Sequence, residues 1–176
     1  MNKPMRFVLG MMLGFSLSFG QSSPFERMGF ILGEWSGTGK GFGNETSTIE
    51  SSFQLVMDGQ YIEVKNDSRF EPTEKNPEGE HHIDHGFISF DKTRGKIVLR
   101  QFYIEGFVNQ YFLNDSLSND STLIFETEAI ENLPKGKARW TIKKVSEEEC
   151  ETIFDVSFTG GEYTCLGTNN LIKKRE

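Results

Sequence analysis

The pattern G-x-W-x-G-x-G occupies residues 33–39, within the stretch Leu32-Gly33-Glu34-Trp35-Ser36-Gly37-Thr38-Gly39-Lys40-Gly41. Glycines at alternating strand positions permit strong curvature and close approach of a neighbouring backbone. A short helix is predicted just before this stretch, over 24–32, because Ser23 can cap it and Pro24 suits its first turn. We therefore expect residues 33–39 to open the first strand of a barrel, with Trp35 plugging the closed end. The alternative for Trp35 is direct contact with a ligand.

After this stretch, alternating apolar and polar residues predict a succession of strands along the rest of the chain. The turns between them are short, and Asp58-Gly59, Glu105-Gly106 and Gly160-Gly161 suit tight hairpins. Such strands pair antiparallel, because parallel strands need long crossovers. The sequence predicts an all-β fold, a single antiparallel up-and-down β-barrel of about ten strands with a short N-terminal helix, since closure removes exposed edges. The predicted strands are Glu34–Phe42, Thr46–Met57, Tyr61–Phe70, His82–Asp91, Lys96–Ile104, Phe107–Asn114, Ser121–Ile130, Lys137–Ser146, Thr152–Thr159 and Glu162–Lys173.

The first twenty residues are typical of an export signal. Two basic residues precede an uncharged apolar run from Phe7 to Phe19, and small residues follow with the spacing that signal peptidase requires. The run is shorter than the roughly 20 residues of a membrane span; the alternative is a buried N-terminal helix. We predict a signal peptide at 1–20, a barrel domain at 21–176, a secreted or periplasmic protein and no membrane insertion after signal removal.

Charge and composition restrict the partners. The 176 residues carry 19 Lys and Arg against 26 Asp and Glu, a net charge of −7, and no basic cluster interrupts the chain. An acidic chain of this kind argues against nucleic acid and anionic membranes as partners. The 16 Phe residues often alternate along strands, as at Phe154 and Phe158. Because a ten-stranded barrel is wider than eight-stranded ones that side chains just fill, we expect a cavity and a small hydrophobic molecule as partner.

The hairpin from Arg100 to Tyr111 provides the candidate polar groups of that cavity. A two-residue turn at Glu105-Gly106 pairs Gln101 with Gln110 and Arg100 with Tyr111, and each face then holds one polar pair among apolar residues. A few oriented polar groups in an apolar cavity are usual in ligand sites, so either Gln101 with Gln110 or Arg100 with Tyr111 would orient the ligand, and the sequence leaves open which face is interior. The alternative is an amphipathic hairpin with one pair solvated. The predicted ligand-binding residues are Arg100, Gln101, Tyr103, Gln110, Tyr111, Phe112, Phe154 and Phe158.

Two cysteines could form a disulfide, but strand geometry argues against it. A two-residue turn at Gly160-Gly161 places Cys165 opposite Val156 and Cys150 opposite Leu171. The two cysteines are then about 20 Å apart along the strands, whereas a disulfide needs Cα atoms within about 7 Å. We expect two free thiols, with Cys165 buried as a small apolar residue.

The segment Glu80-His81-His82-Ile83-Asp84-His85 has the composition of a metal site. On a strand, however, His81 and His85 share one face about 13 Å apart, while His82 and Asp84 share the other. One ion cannot bridge the first pair. We therefore predict no metal ligands here and interpret the segment as a polar strand entry.

The glycine-tryptophan pattern of 33–39 resembles the first-strand signature of lipocalin-like (calycin) barrels. Its extended form resembles the nitrobindin family of haem-binding β-barrels and an uncharacterised bacterial lipocalin-like group. Gly86-Phe87-Ile88-Ser89-Phe90-Asp91 with Gly95-Lys96 resembles a mid-barrel hairpin of that group. The nitrobindin resemblance implies haem held by a histidine of the C-terminal strands, but no histidine follows His85. Cys165 or Tyr163 would be the alternative iron ligand. Haem therefore stays open as a cofactor, although the histidine that the resemblance leads one to expect is absent.

The resulting hypothesis is an exported binding protein for a small hydrophobic molecule, rather than an enzyme. The sequence contains no nucleophile elbow, no HExxH motif and no phosphate loop, so no catalytic residues are assigned. Three alternatives stay open. They are a nitrobindin-like haem protein handling nitric oxide or related species, a small barrel isomerase or cyclase using the Arg100–Tyr111 pair, and a structural module whose interior is filled.

Overall fold

A computed structural model describes residues 23–41, 45–74 and 76–175, so the predicted signal peptide at 1–20 lies outside the described residues. The described chain contains one short 3-10 helix followed by ten strands. The helix spans Glu26–Ile31, and the strands are β1 Gly33–Gly41, β2 Thr46–Val56, β3 Tyr61–Phe70, β4 Glu80–Asp91, β5 Lys96–Tyr103, β6 Val108–Leu113, β7 Thr122–Glu131, β8 Lys137–Lys144, β9 Glu149–Ser157 and β10 Thr164–Lys173. Within the described part of the chain, no helix has the length and apolar character needed to cross a bilayer.

The ten strands form one closed antiparallel barrel. Each strand pairs with the next along the chain, and β1 also pairs with β10, with Gly37 opposite Leu171. Closure leaves no strand of the barrel with an unpaired edge. The predicted all-β, single up-and-down barrel of about ten strands is confirmed.

The end of the barrel beneath the 3-10 helix is closed by apolar packing. Trp35 is 1% exposed, and its Nε1 donates to the Ile31 carbonyl oxygen at 2.7 Å. Met28, Ile31 and Phe53 are buried with it in the core. The helix is shorter than predicted, and Ser23 Oγ accepts the Phe25 N–H at 3.2 Å in the turn before it. The predicted place of Trp35, at the closed end, is confirmed.

Glycines allow neighbouring strands to approach closely at two crossings. A Cβ atom at Gly37 would collide with the Asn170 carbonyl oxygen on β10. A Cβ atom at Gly86 on β4 would collide with the Arg100 carbonyl oxygen on β5. Both glycines belong to the sequence patterns quoted above, and their role is backbone approach.

The β5–β6 pairing differs by one residue from the prediction. Arg100 lies opposite Gln110, and Gln101 lies opposite Asn109, so the predicted pairs Gln101–Gln110 and Arg100–Tyr111 are wrong. The reason is the loop: Tyr103 N donates to Phe107 O at 3.0 Å, which leaves three loop residues instead of two. Gly106 takes the left-handed conformation (φ 84°) typical of a three-residue hairpin loop.

A bulge shifts the β9–β10 pairing in the same way. Cys165 lies opposite Asp155 rather than Val156, and the register shifts between Cys165 and Gly167. Cys165 is consequently exposed, so its predicted burial is wrong. Beyond the bulge Cys150 lies opposite Leu171, as predicted, and both cysteines are free thiols, as predicted.

Candidate ligand cavity

A cavity of about 470 Å³ lies inside the barrel, towards the end opposite Trp35. The lining residues lie near the ends of the odd-numbered strands and near the starts of the even-numbered strands, which together form one end of the barrel. This volume is within the usual range of small-molecule sites. One wall is apolar and is formed by residues of β7, β8 and β9, namely Ile130, Ala138, Trp140, Phe154 and Val156.

The facing wall is polar and is formed by inward side chains of β3, β4, β5 and β6. We call this set the polar line; its members are Asn66, Asp84, Gln101, Tyr103, Asn109 and Tyr111. All but Tyr111 line the cavity, and Tyr111 is fully buried beneath it. The Tyr103 ring stacks on the ring of Phe154, with 6.2 Å between centroids, and so joins the two walls.

Hydrogen bonds along the polar line all lead towards Asp84. Asn109 Nδ2 donates to the Tyr111 hydroxyl at 2.7 Å, and the Tyr103 hydroxyl donates to Gln101 Oε1 at 3.1 Å. The two tyrosine oxygens are 2.9 Å apart. Since Tyr103 uses its proton on Gln101, Tyr111 must be the donor between them. Gln101 Nε2 in turn donates to Asp84 Oδ1.

Asp84 is the acceptor at the end of this chain of donors. Asn66 Nδ2 also donates to Asp84 Oδ1, at 2.6 Å. Burial inside the barrel raises the pKa of the Asp84 carboxyl from 3.8 to about 6, against the lowering effect of the hydrogen bonds from Asn66 and Gln101. Glu105 adds to the rise by repulsion. Asp84 is therefore mostly charged near neutral pH but is easily protonated below it.

Burial also keeps the hydroxyls of Tyr103 and Tyr111 protonated. Burial, then Tyr111 and Asp84, raise the pKa of Tyr103 well above its usual value. Burial also raises the pKa of Tyr111 far above its usual range. Both hydroxyls therefore act as fixed hydrogen-bond donors within the line.

Asn109 leaves one polar atom without a partner. The residue is 4% exposed and lines the cavity, while its Oδ1 has no hydrogen bond. Most buried polar side-chain atoms in proteins are hydrogen-bonded, so an unpaired acceptor beside a cavity identifies a place where an incoming donor would be favourable.

The mouth of the cavity is acidic. His82 contacts Glu80 through Nε2 at 2.7 Å and Glu105 through Nδ1. Glu45 and Lys40 lie across the opening. Apolar rings also reach the mouth, since Phe158 lines the cavity and is 60% exposed.

The predicted ligand-binding residues divide between the two surfaces of the barrel. Gln101, Tyr103, Phe154 and Phe158 line the cavity, and Tyr111 contacts that lining through Tyr103 and Asn109. Three others lie on the outer surface, with contacts there: Arg100 with Ser89 at 3.4 Å, Gln110 with Glu128 at 3.0 Å, and Phe112 under Lys96 at 4.7 Å.

Asp84, Asn66, Asn109 and Trp140 are among the lining residues that were not predicted from the sequence. For Asp84 a signal existed, because strand alternation already placed it on the same face as His82, and both line the cavity. The other face carries His81, 3.0 Å from Asp67, and His85. Among the described residues, no three His, Cys, Asp or Glu side chains are arranged to hold a metal ion.

The proposed alternative iron ligands do not fit a haem in this cavity. The Cys165 thiol is exposed and contacts Gly167 O and Thr168 Oγ1. The Tyr163 ring packs under Arg139, 4.4 Å from the guanidinium carbon, and is not part of the lining. Neither side chain therefore reaches the cavity.

No protein-family model matches the chain, and a comparison with curated protein sequences finds no significant match. The fold is similar to that of Rv2717c from M. tuberculosis, with a TM-score of 0.64 and 16% identity over 86% of this chain and 98% of that one. At that identity the likeness shows the fold alone. Weaker likenesses are to the S-type phycobiliprotein lyase CPES of Guillardia theta (TM-score 0.46, 10% identity, 86% and 91% of the chains) and to EF1p2_mFAP2b bound to DFHBI (0.46, 12%, 87% and 100%).

Proposed function

We propose that this protein is a ligand-binding barrel that holds one small, largely apolar molecule in its cavity. The observation that carries the proposal is the division of the cavity into an apolar wall and a polar line whose hydrogen bonds end at Asp84. An apolar pocket with a few fixed polar groups binds by burying the body of a ligand and orienting its polar end. The alternative of a structural module requires an interior filled by side chains, whereas this barrel encloses a cavity of about 470 Å³.

An isomerase or cyclase is less well supported than a binding protein. Asp84 could take a proton from a substrate, because its pKa of about 6 suits a general base. Such a reaction also needs a donor for the developing oxyanion. The hydroxyls of Tyr103 and Tyr111 already donate within the polar line, and Arg100 lies outside the cavity. Neither tyrosine hydroxyl nor Arg100 is thus available as that donor beside Asp84.

The nitrobindin resemblance of residues 33–39 is proposed to reflect a shared barrel architecture, with glycines for strand approach and Trp35 at the closed end. Haem is not part of the proposal, because neither Cys165 nor Tyr163 reaches the cavity. Export is also proposed: cleavage after Gly20 would leave a secreted or periplasmic barrel beginning at Gln21. Mass analysis of the protein from its own host tests this directly, since an uncleaved chain would contradict export.

Native mass spectrometry of the protein from its own host, with a visible absorption spectrum, tests the function. We expect an added mass below about 500 Da and no haem absorption band. A haem band would contradict the proposal. Because a weak ligand can be lost on purification, binding of the apolar fluorescent dye N-phenyl-1-naphthylamine is measured on the same sample.

A pair of alanine variants locates the binding. Ala138 is buried on the cavity wall, and Ala129 lies on the neighbouring strand with its side chain exposed. Ala138→Trp should abolish dye binding by filling the cavity, whereas Ala129→Trp should leave it within about twofold. Circular dichroism shows whether each variant folds. Equal dye binding by the two folded variants, or no binding by the unmodified protein, would overturn the proposal.

A further inference from the structure

Two hydrogen-bond acceptors of the polar line have no partner among the described residues. Asp84 accepts both amide donors at Oδ1, and no hydrogen bond from the described residues reaches its Oδ2. Asn109 Oδ1 is the second unused acceptor, on a side chain that is 96% buried. The tyrosine hydroxyls give their protons to other members of the polar line. A ligand that carries hydrogen-bond donors would satisfy both of these acceptors.

The charge of the lining favours a positive ligand. Four carboxylates line the cavity and its mouth, from Asp84, Glu45, Glu80 and Glu105. Against them, Lys40 is the one lysine or arginine side chain among the described lining residues, and it lies at the mouth. A cleft lined by one sign of charge attracts the opposite sign and repels its own. Fatty acids and other apolar anions therefore suit this cavity poorly.

Aromatic faces lie close to the same acceptors. The ring of Tyr103 stacks on Phe154, and Trp140 adds a third ring to the apolar wall. An organic cation gains attraction from aromatic faces in addition to its pairing with a carboxylate. The body of such a ligand would contact the rings while its charged nitrogen meets Asp84.

From these contacts we infer that the cavity binds an organic cation, an apolar or aromatic molecule with a protonated amine that donates to Asp84 Oδ2. The inference rests on the proposed binding function and adds the chemical class of the ligand. It also explains a costly feature of the fold, since a carboxylate inside a barrel is stabilised when a cation binds beside it.

Three probes with one ring system separate charge from shape. They are 2-naphthylmethylamine, 2-naphthylmethanol and 2-naphthoate, and titration calorimetry measures their binding to the full mature chain. We expect the amine to bind at least about tenfold tighter than the alcohol, which is about 1.4 kcal/mol, and the carboxylate to bind weakest. Binding should quench the fluorescence of Trp140, so Trp140→Phe removes the signal while Trp35→Phe keeps it.

Matched variants assign the preference to Asp84. Asp84→Asn should weaken amine binding at least about tenfold and change alcohol binding by less than about threefold. Asp67→Asn, a control on the outer surface beside His81, should change neither. If Asp84→Asn fails to fold, Glu105→Gln at the exposed mouth should weaken amine binding alone, by about threefold.

Each outcome separates the ligand class from the function. Equal binding of amine and alcohol, equal losses for both in Asp84→Asn, or tightest binding of the carboxylate would overturn the cation inference. If none of the naphthyl probes binds but the dye binding that Ala138→Trp abolishes is present, the binding function stands and the inference fails. If neither dye nor probes bind, both fail.

Discussion

Asp84 is a carboxylate that lines the cavity and that burial makes unfavourable in its charged form. Burial outweighs its two amide hydrogen bonds, so its pKa is about 6. A group whose pKa is raised by burial and that lies in a cavity is a candidate functional group. The carboxylate should therefore destabilise the empty protein and become favourable only when a partner binds beside it.

Replacing Asp84 should stabilise the empty protein at neutral pH. Between the unfolded pKa of 3.8 and the folded pKa of about 6, the native state binds more protons than the unfolded state. Stability consequently falls as pH rises through that window, by at most about 3 kcal/mol. Asp84→Asn should recover up to that amount at about pH 7.5 and none at about pH 3.5, measured by urea unfolding.

Asp67 provides the control of opposite sign. Burial raises the pKa of Asp67, but His81 and Arg69 lower it by more, so the net shift is downward. Asp67→Asn should therefore bring no gain at either pH. If Asp84→Asn is no more stable than the unmodified protein at about pH 7.5, the charged carboxylate is already well compensated and the reasoning above is wrong.

The two tyrosines of the polar line should differ in their effect on stability. Tyr111→Phe removes the acceptor of the buried Asn109 amide, and a buried donor left unpaired costs about 1–3 kcal/mol. Tyr103→Phe frees Gln101 Oε1 beside the cavity, where water can replace the lost donor, so its cost should be smaller. Urea unfolding of both variants at one pH measures the difference, and a larger loss for Tyr103→Phe would contradict this assignment.

At the scale of strands, glycines and loops decide which side chains face the cavity. Gly37 and Gly86 let adjacent strands approach where any Cβ atom would meet a backbone oxygen. The three-residue loop at 104–106 sets the β5–β6 pairing, and the bulge at 165–167 sets that of β9 and β10. These local features fix which polar residues meet across the barrel.

Substitution of Gly37 should damage the barrel. The Cβ atom of Gly37→Ala would collide with the Asn170 backbone, which cannot move without disturbing the β1–β10 closure, and overpacking of this kind costs about 2 kcal/mol or more. Gly29→Ala is the control, because nothing lies within 4 Å of a Cβ atom there, and it should change stability by less than about 0.5 kcal/mol. Thermal unfolding of both variants measures the contrast, and equal stability would disprove the role of Gly37.

The strands were predictable from sequence because turn residues and period-two alternation are local signals. All ten predicted strands exist, with ends displaced by a few residues. The pairings across hairpins were less accessible, since Glu105-Gly106 suits both a two-residue and a three-residue loop, and the choice shifts every pair by one. The predicted partners Gln101 and Gln110 consequently lie on opposite surfaces of the barrel, Gln101 in the cavity and Gln110 outside. Asp84 was missed because a carboxylate beside histidines is more often solvated than enclosed.

At the scale of the whole molecule, closure makes the barrel one cooperative unit. Every described strand pairs on both sides, and β1 is held by both β2 and β10. An open sheet can fray at its edges, whereas a closed barrel must break a strand pair before any buried strand is exposed. Trp35 and Leu171 belong to the buried apolar core, so the closed end should open only with global unfolding.

The two thiols report this cooperativity. Cys165 is exposed near the cavity end, whereas Cys150 is 2% exposed and burial raises its pKa to about 12. One thiol per native chain should react quickly with a disulfide reagent such as DTNB, and Cys165→Ser should abolish that fast phase. The second thiol should react at the rate of global unfolding, measured separately by tryptophan fluorescence. A faster second reaction would mean that β9 and β10 separate locally, and no fast reaction would contradict the exposure of Cys165.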